Sequence, residues 1–167
     1  MRSTLRFAAI ALTLAALAVL AAAPAASAHG KAPLRLTAEE VQFQDLDLGT
    51  PGPSLGDEFV FSQALFRRGF DVGMSGGVCT VVHAMAPYDV LTFQCLVTLD
   101  LRGGQITLQG LIELQGEDDP GPFTLAITGG TGRFSGASGT ARFRSDERTT
   151  GVYRLRFDNK RKHDHRY

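Results

Sequence analysis

Cys79 and Cys95 carry the most reactive side chains in the sequence. A free thiol can ionise and attack as a nucleophile, whereas a disulfide cannot. His83 shares the alternation of Cys79 and Val81, but no serine, histidine and acid stand together as a triad. No carboxylate pair suggests glycoside hydrolysis either. His163, Asp164 and His165 lie in a charged tail, where histidines are ordinarily solvated, so no metal site is read there. Gln109 and Glu113 share one face of a candidate strand, and Tyr153 alternates with Leu155 and Phe157. These three polar residues become ligand contacts if their faces line a pocket, and ordinary surface or packing residues otherwise. Gly129-Gly130-Thr131-Gly132 raises the question of phosphate binding. A phosphate loop needs a helix after it, with its amides aimed at the anion. Residues 138–145 alternate as a strand and no Gly-Lys-Ser/Thr follows, so no nucleotide or other cofactor is expected.

These residues fall on short alternating segments broken by glycine and proline. The pattern predicts strands over residues 40–48, 58–67, 72–83, 90–100, 105–115, 123–128, 140–145 and 151–158. Val41, Phe43 and Asp45 point one way on the first, and Gln42, Gln44 and Leu46 the other. Phe59, Phe61, Gln63 and Leu65 share a face of the second. Gly76-Gly77 marks a bulge or a close approach. Ile127 to Gly139 holds five glycines in thirteen residues and reads as a sharp corner between two strands. Eight strands with hairpin-length turns predict an all-β fold, an eight-stranded antiparallel β-barrel from about Val41 to Asp158. A barrel of that size is either filled or holds one small ligand.

The chain opens with Arg2 and Arg6, an apolar run over residues 7–23, and Ala26-Ser27-Ala28. That order is a secretory signal peptide. The expected organisation is a leader at 1–28 cleaved after Ala28, a barrel domain at 29–158, a charged tail at 159–167, and export from the cell. No span remains in the mature form. Without Arg2 and Arg6 the chain has 15 basic and 17 acidic residues, a formal −2. Four of the basic residues lie in the tail against one acidic, which leaves the body at −5. An acidic body argues against a nucleic-acid partner. In an exported protein, two cysteines on neighbouring strands are expected to pair.

The glycine corner Ile127 to Gly139 resembles the Gly-Gly-Thr/Ser-Gly-x-Phe-x-Gly-Ala-x-Gly signature of allene oxide cyclases and, more loosely, that of plant dirigent proteins. Ser54-Leu55-Gly56-Asp57, Val72 to Cys79, Ile106 to Gly110 and Leu125 to Gly130 are similar to further segments of the cyclases, in the same order. The resemblance implies an eight-stranded barrel with an apolar pocket, trimeric in many plant members. It therefore leaves open a homo-oligomer, dimer or trimer. In the plant cyclases a pocket glutamate, an asparagine, a proline and a cysteine are implicated. Setting Leu46 to Pro51 against that family's Leu-Asp-x-x-Ser-Pro run puts Pro51 on the proline, Gln44 on the asparagine and Gln42 on the glutamate; Cys79 matches the cysteine.

A neutral amide cannot accept the proton that a carboxylate accepts. The expectation is therefore a secreted dirigent-like barrel. It would bind an apolar small molecule through Gln42, Gln44, Pro51, Phe61, Gln109, Glu113 and Tyr153, and steer it without proton transfer of its own. The alternative is an isomerase or cyclase of the allene oxide cyclase type, acting on a lipid- or polyketide-derived substrate by orientation.

Overall fold

The computed structural model describes residues 32–85, 90–115, 121–147 and 149–158. The leader, the charged tail and its His163-Asp164-His165 lie outside the described residues. The chain forms one closed antiparallel barrel in which each strand pairs with the next and the last returns to the first. The strands are β1 (Leu34–Leu46), β2 (Glu58–Arg67), β3 (Phe70–Met85), β4 (Val90–Leu101), β5 (Gly104–Gln115), β6 (Phe123–Gly130), β7 (Gly139–Glu147) and β8 (Thr150–Phe157). The predicted eight-stranded barrel is what forms. It begins earlier than predicted, because Leu36 and Ala38 of β1 pair with Tyr153 and Gly151 of β8.

Alternation decides what faces inward. On β4, Phe93, Cys95, Val97, Leu99 and Leu101 are buried, while Leu96 and Asp100 are exposed. One end of the barrel is packed solid by Leu36, Leu65, Leu99, Ile106, Leu108 and Leu155, each at most 1% exposed. Burying a leucine or isoleucine stabilises by roughly 1.5–3 kcal/mol, so this end supplies much of the stability. The glycine corner seals it. A single 3-10 turn, Gly132–Phe134, joins β6 to β7. Thr131 N–H donates to the Gln105 carbonyl at 2.9 Å and Arg133 N–H to that of Gly103 at 2.8 Å. A Cβ on Gly132, whose φ is +56°, would lie 2.2 Å from that Gly103 oxygen, so only glycine fits the approach.

The other end is open. β1 pairs with β8 only from Leu34 to Glu39, and β5 pairs with β6 only from Ile106 to Gln109. Beyond those points β1 to β5 continue as a taller wall above β6 to β8. Bulges re-aim the strands that continue. The β1–β2 register shifts between Glu40 and Gln42, and the β3–β4 register between Val81 and His83. Through Gly76 and Gly77 the register is continuous, so those glycines mark a close approach, not a bulge. Among the described residues no helix is long and apolar enough to cross a membrane.

Candidate functional site

The open half of the barrel encloses a cavity of about 380 Å³. Its lining ends at Glu40, Gln63, Val97, Leu125, Phe143 and Tyr153. The next inward residues on the same strands, Ala38, Leu65, Leu99, Ile127, Ala141 and Leu155, are buried in the packed half. The cavity floor is therefore the layer that holds Gln63 and Tyr153. The volume lies within the range of about 300–1,000 Å³ usual for small-molecule sites.

The walls are aromatic and fall on opposite sides of the barrel. On one side Phe43 stacks on Phe59 at 5.5 Å between ring centroids, and Phe59 meets the edge of Phe93 at 5.3 Å. On the other, Phe143 lies 5.3 Å from Phe123 and 4.7 Å from Tyr153. Two glycines make room for the rings. A Cβ at Gly77 would stand 2.6 Å from Phe61 Cζ, and one at Gly151 would stand 2.3 Å from Phe143 Cζ.

Cys79 and Cys95 face each other across β3 and β4 with Cα atoms 4.1 Å apart, and they form the predicted disulfide. The bond borders the cavity, so Cys79 supplies a wall and not a nucleophile. His83 is exposed: the bulge after Val81 takes it off the Cys79 face.

The charged side chains at the cavity are Glu40 and Asp45, both exposed; Glu40 is level with the floor as the cross-strand partner of Gln63, and Asp45 lies nearer the mouth opposite Phe59. This corrects the reading of the first strand. The family alignment places Gln42 and Gln44 in the pocket, whereas the cavity takes Glu40, Phe43 and Asp45 from this strand. The extra residue at Val41 reverses the alternation, so Glu40 pairs with Gln63 on the inside and Gln42 with Ser62 on the outside. Gln42 and Gln44 border a shallow outer cleft with Val60 and Ser62. Pro51 sits in the exposed rim loop and does not line the cavity. Gln109 and Glu113 point outward, because the inward residues of β5 are Ile106, Leu108 and Ile112. Of the seven expected ligand contacts, Phe61 and Tyr153 border the cavity.

The floor carries a polar group that sequence reasoning passed over. Ser75 is fully buried, and its hydroxyl donates to Oε1 of Gln63 at 2.9 Å. The Tyr153 hydroxyl donates to the same oxygen at 3.0 Å. Burial pushes the Tyr153 phenol well above its ordinary range, against a smaller opposing effect of the Ser75 hydroxyl, so it stays a neutral donor. The signal was present: Gln63 is a polar residue in the apolar run Phe59, Phe61, Leu65.

Asp57 pins the rim. Its carboxylate accepts from the Leu48 N–H at 2.9 Å and from the Ser54 N–H at 2.6 Å. These backbone bonds hold its carboxyl below the usual range. The rim loop thus closes a second cleft of about 310 Å³, which shares Asp45, Phe59 and Phe93 with the main cavity. Among the described residues no three histidine, cysteine or carboxylate side chains gather as a metal site.

No curated protein sequence matches the chain. A solved structure described as a pyocyanin demethylase is 28% identical, with a TM-score of 0.65 over 75% of this chain and 99% of that one. The Diels-Alderase AbmU from Streptomyces koyangensis is 15% identical, with a TM-score of 0.60 over 76% of this chain and 64% of that one. The pterocarpan synthase dirigent protein GePTS1 is 16% identical, with a TM-score of 0.55 over 75% of this chain and 85% of that one. At the two lower identities the likeness is one of fold. The model of the allene oxide cyclase barrel like domain matches residues 35–157, almost the whole barrel, and the chain belongs to that family.

Proposed function

We propose that this chain is an exported small-molecule barrel that takes a flat, largely apolar ring system between its two aromatic walls and steers that compound's conversion. One observation carries the reading: Phe43, Phe59 and Phe93 stand across an open cavity from Phe123, Phe143 and Tyr153. Stacked and edge-on ring contacts contribute about 0.5–1.5 kcal/mol each beyond burial, which favours a planar aromatic ligand over a flexible chain. The similar structure named for pyocyanin, a planar tricycle, supports the same class of compound. Glu40 beside the floor and Asp45 nearer the mouth supply carboxylates able to move a proton or balance a developing positive charge.

A second reading keeps the dirigent-like role. Both carboxylates are exposed to solvent, so a ligand seated on the floor is held by shape, stacking and the floor amide without proton transfer. The test is a titration with pyocyanin and with a saturated fatty acid of similar carbon count, followed by mass analysis of the incubated pyocyanin. Preference for the tricycle supports the site. Loss of conversion in Glu40→Gln or Asp45→Asn assigns proton transfer to that carboxylate; conversion unaffected in both supports holding alone. Equal or tighter binding of the fatty acid would refute the proposal.

The disulfide suits the extracytoplasmic location that the leader implies, with cleavage after Ala28 as part of the proposal. Mass measurement of the exported chain tests it. Self-association belongs to the same proposal. The outward row Gln44, Val60, Val78, Leu96 and Gln109 crosses β1 to β5 without a charge, and Leu96 is 50% exposed. A dimer or trimer by light scattering, dispersed by Leu96→Glu, is the expected result.

A further inference from the structure

The amide of Gln63 is oriented by two donors. The Ser75 hydroxyl and the Tyr153 hydroxyl both reach its Oε1, at 2.9 and 3.0 Å. An amide oxygen has two lone pairs, and these bonds occupy both. The NH2 end then carries two N–H donors that meet no protein acceptor among the described residues. Nor is that nitrogen buried: among the described residues, no buried side-chain nitrogen or oxygen lacks a hydrogen-bond partner. Since Gln63 borders the cavity, the donors are open to it. They stand on the floor of a chamber lined there by Glu40, the cross-strand neighbour of Gln63, whose side chain makes no hydrogen bond to the amide, and by Phe61, Val97, Leu125 and Phe143.

We propose that Gln63 is the specificity-determining residue of the cavity. Its NH2 group donates to an acceptor on the leading edge of the ligand: a carbonyl, a phenolate oxygen or an unprotonated ring nitrogen. The substrate class is then a flat ring system with an acceptor at its inner end, not a plain hydrocarbon. Ser75 and Tyr153 are positioning residues; they hold the amide in the orientation that presents nitrogen. A ligand without an acceptor covers the N–H donors and leaves them unpaired, which costs roughly tenfold or more in affinity. The inference rests on the cavity being the ligand site.

Anthracene, acridine and phenazine test it. All have the same outline of three fused rings; they carry no ring nitrogen, one and two. Carbazole adds a ligand whose ring N–H only donates. Competition against a fluorescent tricycle gives dissociation constants for the exported chain. Acridine and phenazine are expected to bind about tenfold or more tighter than anthracene and carbazole. Gln63→Leu is expected to erase that ratio while anthracene binds at least as well as before. A merely structural role would lower all four together. Tyr153→Phe and Ser75→Ala free the amide to turn and should shrink the ratio without weakening anthracene. Should Gln63→Leu fail to fold, Gln63→Met supplies the same comparison with an unbranched side chain.

Equal binding of all four by the wild type would overturn the role of Gln63 and leave the aromatic site standing. So would tighter binding of carbazole, or a ratio that survives removal of the amide. Binding of none of them would instead refute the site itself.

Discussion

Replacing Gly77 with alanine should close part of the cavity while leaving the barrel folded. Gly77 pairs with Phe61 on β2 and Val97 on β4. A methyl group there would lie 2.6 Å from Phe61 Cζ, 2.8 Å from its Cε1 and 3.0 Å from the Leu96 carbonyl oxygen. That oxygen belongs to the β3–β4 ladder and cannot retreat, so the ring must move. Its open direction is into the cavity it lines. Overpacking costs about 1–3 kcal/mol, and the loss of glycine freedom in the unfolded chain returns about 0.4–1 kcal/mol. The expected net destabilisation is about 1 kcal/mol by urea denaturation, with an effect on ligand at least as large. The displaced ring occupies ligand volume, so phenazine affinity should fall about tenfold or more. Adding Phe61→Leu should recover most of the lost stability, with a coupling of about 1 kcal/mol in the double-mutant cycle. Additive effects, or phenazine binding at the wild-type level in Gly77→Ala, would refute the packing argument.

Three further outcomes are expected. Replacing Cys79 and Cys95 together with alanine should lower unfolding stability by about 3 kcal/mol, the chain-entropy value for their separation of 16 residues; a loss below about 1 kcal/mol in urea melts would contradict it. Asp57 has its carboxyl held below the usual value of 3.8, so it contributes stability above that pH and loses it as pH falls through the lowered value. In Asp57→Asn that acid-side loss should vanish, and amide exchange over residues 48–54 should be fast at every pH; slow exchange there would count against the pinned rim. Tyr153 has its phenol raised above 10.0, so its stabilisation is present below pH 10 and declines as pH rises beyond it. Ultraviolet titration of the folded protein should show this tyrosine ionising only on alkaline unfolding, and an ordinary phenol titration would place the hydroxyl in water.

The barrel was legible because period-2 alternation and glycine turns are local signals. β2, read as residues 58–67, starts and ends where the alternation does. The disulfide was legible because Cys79 and Cys95 sit on consecutive strands in directly opposed register. The cavity was only partly legible, for a physical reason. A bulge adds one residue to one strand and reverses everything after it, and no residue at Val41 announces it. Alternation grouped Phe43 and Asp45 with Val41 without deciding which face is inside, and the alignment by type chose the opposite face, Gln42 and Gln44, whereas Phe43 and Asp45 line the cavity and Val41 is exposed. Glu40 was missed because it lies on the near side of the same bulge. Gln109 and Glu113 illustrate another limit: a strand shows two faces, and only the neighbours around the barrel decide which is inside. Gln63 was the readable exception, since an amide among Phe59, Phe61 and Leu65 must either find partners or present itself to a ligand.

Calorimetric titration of the exported chain with phenazine, beside an Ile112→Trp variant whose indole fills the chamber, tests the aromatic site most directly. Ile112 borders the cavity and is 8% exposed, and the chain has no tryptophan of its own, so the new fluorescence also reports that the variant is folded. The expected result is saturable one-to-one binding to the wild type and none to the folded variant. Equal binding to both, or no binding to the wild type, would contradict the placement of the ligand between the phenylalanine walls.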